Sequence, residues 1–247
     1  MRDKIYFASD FHLGVSPLAV SQEREKQIVA WLDTIKVDAK ALFLVGDIFD
    51  FWFEYKTAVP KGFVRFLGKL AELSDLGVEI TFFKGNHDMW MFGYLKEELG
   101  ARIIDNELEL TLDGKKFYIH HGDGLGPGDA KYKFLKKFFR SNICQWLFGC
   151  LHPSIGIGIA NRWSRHSRGA SGGEEVFLGE DKEWLILYAK EILQKKHYDF
   201  FVFGHRHLPY DLPIGENSRV VNLGDWFHHY TYAVWDGKNL SLEKWTH

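Results

Sequence analysis

Hydrophobic positions along the chain follow two periods in turn. Short continuous apolar runs at residues 5–8, 41–45, 78–83 and 117–120 read as buried strands. Between them Ile28, Trp31, Leu32 and Ile35, then Phe63, Phe66, Leu67, Leu70 and Leu73, recur at helical spacing. This alternation predicts a layered α/β architecture. Strand-like runs return at 200–203, 219–222, 231–235 and 240–244, and a second sheet packed on the first would account for them.

The stretch between His121 and His205 breaks this rhythm, because it is roughly twice the length of a βα unit and holds no convincing strand. Over 129–148, Phe134, Leu135, Phe138, Phe139, Ile143, Trp146 and Leu147 keep helical spacing, while Lys131, Lys133, Lys136, Lys137 and Arg140 add charge. The pattern predicts a basic amphipathic helix. An apolar run at 155–160, a basic run at 161–168 and a turn at 169–173 follow. With no repeat, low-complexity tract or Pro/Gly-rich linker, residues 1–247 read as one domain with a helical cap inserted at about 126–175.

Five polar motifs sit just past the apolar runs: Asp10-Phe11-His12, Gly46-Asp47-Ile48-Phe49-Asp50, Gly85-Asn86-His87-Asp88, His121-Gly122-Asp123 and Gly204-His205-Arg206-His207. Loops after the carboxyl ends of strands converge on one edge of an open α/β sheet, so motifs distant in sequence can meet there. The glycines fit backbone that turns tightly and approaches ions closely. Carboxylate, imidazole and one amide make the ligand set of a hydrolytic dinuclear centre. These donors suit two divalent ions, with Mn²⁺ placed ahead of Fe²⁺, Zn²⁺ or Mg²⁺. Such a pair can activate water and bind phosphoryl oxygens, so the expected reaction is hydrolysis of a phosphoester or phosphoanhydride. Asn86 serves as a neutral ligand, His87 as the acid at the leaving group, and Asp50 as the group that orients His87. Asp88 and Asp123 are expected to support ligands from behind.

Composition narrows the partners. A hydrophobic share of 46% is ample for a sizeable core. A net charge of −2 and a pI near 6.6 argue against a broadly basic nucleic-acid face, so no nucleic-acid partner is expected. Cys144 and Cys150 are the only cysteines and form no spaced pairs, which points to a reducing cytosol. The chain runs into a strand at residue 5 without a signal-like segment, and no apolar run reaches the roughly 20 residues of a spanning helix. The expected location is therefore the cytoplasm, with peripheral contact at the inner face of the cytoplasmic membrane through the basic helix.

Asp10-x-His12, Gly46-Asp47-x-x-Asp50, Gly85-Asn86-His87-Asp88, His121-Gly122-Asp123 and Gly204-His205-x-His207 together resemble the signature of the calcineurin-like metallophosphoesterase superfamily. The resemblance implies a four-layer αββα sandwich. It gives Asp10, His12, Asp47 and His207 to one metal, and Asp47, Asn86, His121 and His205 to the other, so that Asp47 bridges.

Within that superfamily the chain is most similar to the UDP-2,3-diacylglucosamine pyrophosphatase family of lipid A biosynthesis. The narrower likeness rests on 9–14, on His121-Gly122-Asp123 followed by Tyr132 and a helical insertion, and on Leu223-Gly224-Asp225-Trp226. It implies cleavage of a lipid-linked UDP-sugar to UMP and 2,3-diacylglucosamine 1-phosphate, with the cap holding the acyl chains. A well-known branch of that family has arginine where this chain has His87. Arg162, Arg165, Ser167 and Arg168 are the cap residues expected to meet the diphosphate, since arginine binds phosphate bidentately. The alternative is a metallophosphoesterase that acts on a soluble nucleotide or another phosphodiester. Phe49, Phe51, Trp52 and Phe53 are read as core or cavity wall, and no role is assigned to Trp226, His228 or His229.

Overall fold

A computed structural model describes residues 2–126, 130–170 and 176–246. Two sheets face each other. The first has the order β11(Leu240–Lys244), β10(Thr231–Trp235), β1(Lys4–Ala8), β2(Ala39–Val45), β3(Glu79–Phe83), β4(Arg102–Ile104). The second has the order β5(Leu108–Leu112), β6(Lys115–His120), β7(Phe200–Phe203), β9(Ser218–Asn222), β8(Tyr210–Ile214). β1 to β4 run parallel, as do β6, β7 and β9, while β10, β11, β5 and β8 pair antiparallel with their neighbours.

The two-residue period of each strand builds the layers. Ile5, Phe7, Phe43 and Val45 point inward to meet Phe117, Ile119, Phe200 and Val202 in the seam between the sheets. Tyr6, Ala8, Leu42 and Leu44 point outward beneath α1(Leu18–Ile35) and α2(Val64–Asp75), with Trp31, Leu32, Phe66 and Leu70 closing that layer. On the other outer face, Phe201 and Phe203 pack against Leu185, Ile186 and Ala189 of α7(Trp184–Leu193). The result is the expected four-layer αββα sandwich.

Two expectations need correction. The late strands do not form one sheet: β7 and β9 belong to the second sheet, but β10 and β11 extend the first, because β10 pairs antiparallel with β1. The single helix expected over 129–148 is two, α4(Ala130–Phe139) and α5(Asn142–Gly149). Ser141 divides them by capping α5, its Oγ accepting from Cys144 N at 3.3 Å. The basic run continues as α6(Pro153–Ala170), which starts with proline at its first turn. Helix thus occupies the first two residues of the turn expected at 169–173, and the remainder lies outside the described residues.

Three strands were not legible. β8 contains Pro213 and is tolerated because it is an edge strand, where a missing N–H breaks no inner ladder. β4 has only three residues, and β5 is a half-exposed edge. α3(Tyr94–Leu99), only six residues long, lies between β3 and β4.

Candidate metal centre and adjoining cavity

Asp10 and His12 follow β1, Asp47 and Asp50 follow β2, Asn86 and His87 follow β3, His121 follows β6, and His205 and His207 follow β7. Parallel pairing gathers these strand ends along one edge of the sandwich. Asp10, His12, Asp47, His205 and His207 all have positive φ, from 28° at His207 to 66° at His205, which is uncommon outside glycine. The glycines permit close approach. A Cβ on Gly46 would strike the His121 ring, one on Gly85 the Asp47 carboxylate, and one on Gly204 would stand 2.7 Å from Asp10 Oδ2.

Three candidate ligand groups emerge, Asp10 with His12 and His207, His12 with Asp47 and His87, and Asp47 with His121 and His205, the middle one joining the outer two. Within each, donor atoms lie within 4.8 Å of one another. His12 Nε2 is 3.2 Å from His207 Nε2, 3.7 Å from Asp10 Oδ1 and 3.6 Å from Asp47 Oδ2. His121 Nε2 is 3.4 Å from the same Asp47 oxygen and 3.3 Å from Asn86 Oδ1. Asp47 therefore stands between the outer groups. His121 Nδ1 lies 2.8 Å from the Val45 carbonyl, which turns Nε2 toward the centre. Asp10 Oδ1 is shielded from solvent, lies 3.2 Å from His207 Nε2 and has no hydrogen-bond partner. A buried carboxylate oxygen in that condition, among facing imidazole nitrogens, fits a divalent cation.

The electrostatics agree. Burial alone would raise the Asp10 carboxyl, but the facing imidazoles of His12 and His207 hold it well below the usual carboxylate range. Burial is likewise outweighed at Asp47 by the charges of His121 and His87. Burial disfavours charge on His12 and His121, yet Asp10 and Asp50 lift His12, and Asp47 lifts His121, each to about 10. Burial lowers His87 and, with the charge of His121, brings His205 to about 4. The ionised carboxylates thus attract cations to the centre, and divalent ions compete there with protons on His12 and His121.

Supporting groups surround the centre. Asp88 accepts from the backbone N–H of Gly85 and of Ile48, both at 2.8 Å, stitching two ligand loops together. Asp123 accepts from Tyr132 Oη at 2.6 Å and pairs with Lys136 Nζ at 2.7 Å, tying α4 to the His121 loop. Asp50 meets His87 through both its backbone and its side chain. His87 Nδ1 lies 3.0 Å from the Asp50 backbone carbonyl but 3.6 Å from its carboxylate, and Ser164 of α6 donates to that carboxylate at 3.0 Å.

A cavity of about 340 Å³ opens beside Asn86 and His87. Phe51, Met89 and Trp90 from the sandwich, with Leu135, Phe139, Phe148, Ile159 and Trp163 from α4 to α6, make most of its wall. The four aromatics of the 49–53 segment divide accordingly: Phe49 and Trp52 are core, Phe51 lines the cavity, and Phe53 packs on Trp90 and Phe148. Lys136, grouped by sequence with the charged residues of the basic helix, instead turns into the cavity, and burial lowers its pKa. Arg162 is exposed on α6 and is not among the cavity-lining residues. Arg165, Ser167 and Arg168 also fall on α6, with side chains outside the described residues. Ser164 and Lys136 were missed as site residues, for no spacing distinguishes them from their helical neighbours.

The family model for calcineurin-like phosphoesterases matches residues 3–209. The chain belongs to that family. It is similar to a UDP-2,3-diacylglucosamine hydrolase from Porphyromonas gingivalis, with 44% identity over 257 residues covering 98% of each chain. A second UDP-2,3-diacylglucosamine hydrolase, from a Shewanella species, is 28% identical over 237 residues, covering 96% of this chain and 95% of that one. Among solved structures, a phosphoesterase from E. coli aligns with a TM-score of 0.47 at 17% identity, covering 98% of this chain and 92% of that one.

Proposed function

We propose that this calcineurin-like phosphoesterase hydrolyses the pyrophosphate of UDP-2,3-diacylglucosamine, yielding UMP and 2,3-diacylglucosamine 1-phosphate. The observation that carries the reading is the apolar cavity opening directly onto Asn86 and His87, which offers acyl chains a place beside the hydrolytic residues. Relatives that align along nearly the whole chain are UDP-2,3-diacylglucosamine hydrolases, which supports the same substrate.

In this reading Asp10, His12, Asp47 and His207 hold one divalent ion, and Asp47, Asn86, His121 and His205 hold the other, both Mn²⁺. Bound there, the two ions supply Lewis acidity to the phosphoryl oxygens and activate water for attack on phosphorus. His87, its Nδ1 engaged by the Asp50 carbonyl, keeps Nε2 for the leaving phosphate. Asp50 and Ser164 hold that ring in place. Of the α6 residues, Arg165, Ser167 and Arg168 receive the diphosphate, and α4 to α6 act as a cap.

Among the described residues no helix is long and apolar enough to cross a membrane. Phe134, Phe138, Ile143 and Trp146 are nevertheless exposed on α4 and α5, beside exposed Lys133 and Lys137. We assign this face to peripheral contact with an anionic bilayer at the cytoplasmic side, where each nearby lysine contributes about 1 kcal/mol.

The test is Mn²⁺-dependent release of UMP from UDP-2,3-diacylglucosamine, run beside the same nucleotide sugar without acyl chains. Turnover of the acylated compound alone supports the proposal. Cleavage of a simple phosphodiester with none of the acylated compound would discard it in favour of a soluble nucleotide or other phosphodiester.

A further inference from the structure

Between two of the site's imidazoles stands Arg206. The loop there folds through two successive turns, closed by Arg206 N to Gly204 O at 2.7 Å and by Leu208 N to Arg206 O. His205 and His207, the central residues of those turns, have φ of 66° and 28°. Three-residue turns with positive φ are strained, and strained backbone persists only where its surroundings over-determine it.

The Arg206 side chain supplies such a constraint. Its guanidinium, only 7% exposed as a residue, meets the fully buried Glu183 through two parallel bonds, Nε to Oε2 at 3.0 Å and Nη2 to Oε1 at 3.1 Å. Nη2 also donates to the Val176 carbonyl at 2.7 Å, and the guanidinium carbon lies 5.1 Å from the Trp184 ring centroid. Glu183 is the residue that opens α7, yet its carboxylate does not cap that helix and accepts instead from Leu178 N at 2.9 Å. Two residues on, Leu185 lies 3.3 Å from where a Gly122 Cβ would stand; the same point is 3.2 Å from Gly204 O and from His205 Cβ. The start of α7 therefore backs both the His121 loop and the His205 loop.

We infer that Arg206 is a positioning residue whose buried, two-bonded ion pair with Glu183 locks the His205–His207 loop against α7 and so sets the affinity of the centre for divalent metal. The inference rests on the metal-centre reading above. An arginine suits the task because its planar fork fixes direction as well as charge, which an ammonium does not.

The test is equilibrium dialysis of Mn²⁺ against the metal-stripped full chain, with folding followed by circular dichroism. Removing a group that orients metal ligands typically weakens affinity by about 10–100-fold. Arg206→Met and Glu183→Gln are expected to raise the Mn²⁺ Kd by that factor, with Arg206→Lys intermediate. Should a single variant fail to fold because it leaves a buried charge uncompensated, the double variant Arg206→Met/Glu183→Met removes both charges and is measured in its place. Wild-type Kd in Arg206→Met or in the double variant overturns the inference. His121→Ala serves as the control. If wild type binds no Mn²⁺, or His121→Ala binds it as tightly as wild type, the metal-centre reading itself has failed and Arg206 has nothing to position.

Discussion

Phe7 and Trp146 are both large apolar side chains in regular elements, but the chain uses them in opposite ways. Phe7 is wholly buried between the sheets, its ring 5.1 Å from Phe43 and 6.1 Å from Phe117. Trp146 on α5 is 68% exposed, and no residue of that helix is buried. Around the first, interdigitated side chains from two sheets leave no freedom, and the strand ends above them hold the site residues to fixed distances. Around the second, α4 to α6 rest on a small cluster of Phe53, Met89 and Trp90 with Phe139 and Phe148, aided by Trp90 Nε1 donating to the Phe139 carbonyl at 2.8 Å. Complete burial holds side chains to fixed distances, whereas incomplete burial leaves apolar surface exposed.

The largest effect that can test this contrast lies at the rigid edge. Asp47→Ala, which removes the carboxylate between the outer ligand groups, should lower turnover by about a thousand-fold or more, since metal stabilisation of transition-state charge is worth several kcal/mol and each 1.36 kcal/mol is about tenfold. Chelation with EDTA should do the same reversibly, with Mn²⁺ restoring activity. Retained turnover in either experiment would remove the metal from the mechanism.

The next effect belongs to the seam. Phe7→Ala should destabilise the protein by about 3–5 kcal/mol in denaturant unfolding, because a large buried side chain leaves both lost transfer energy and a cavity. A much smaller change would mean the seam is looser than its packing implies.

A third effect depends on pH and on metal. His12 and His121 have folded pKa values lifted to about 10, above the unfolded value of about 6.5. Their contribution is fully present below the unfolded value and is lost as pH rises through 10. The metal-free protein should thus lose on the order of a few kcal/mol of stability between about pH 6.5 and 10. Metal-loaded protein should not follow that slope, because these imidazoles then bind metal instead of protons. Parallel thermal melts across the range separate the two cases, and identical slopes would argue against ligation by His12 and His121.

The smallest expected effect on stability is at the exposed face. Trp146→Ala should change unfolding free energy by no more than about 0.5 kcal/mol, as surface substitutions generally do. It should nonetheless weaken sedimentation with vesicles containing anionic lipid. Unchanged sedimentation would show that this face does not meet the bilayer.

The sandwich was largely legible because buried strands require continuous apolar runs, and 5–8, 41–45, 117–120 and 200–203 carry that signal strongly. Edge strands carry less of it: β5 is half-exposed, and Pro213 hides β8. Site residues after strands were legible as motifs, since tight backbone and metal-binding side chains demand particular residue types. Ser164, Lys136 and Arg206 were not, because their surroundings come from distant parts of the chain: Asp50 for Ser164, the 123 loop for Lys136, and Glu183 for Arg206.

The sequence by itself therefore determined the α/β layering, the loops that carry chemistry and the donor set within them, for these follow from local periodicity and from the chemistry of individual side chains. Only the tertiary structure decided that β10 and β11 join the first sheet, that His87 Nδ1 comes nearer the Asp50 carbonyl than its carboxylate, and that α4 to α6 enclose an apolar cavity at the site's edge. Each of those outcomes depends on which distant surfaces exclude water together, and that is a property of the packed chain rather than of any segment within it.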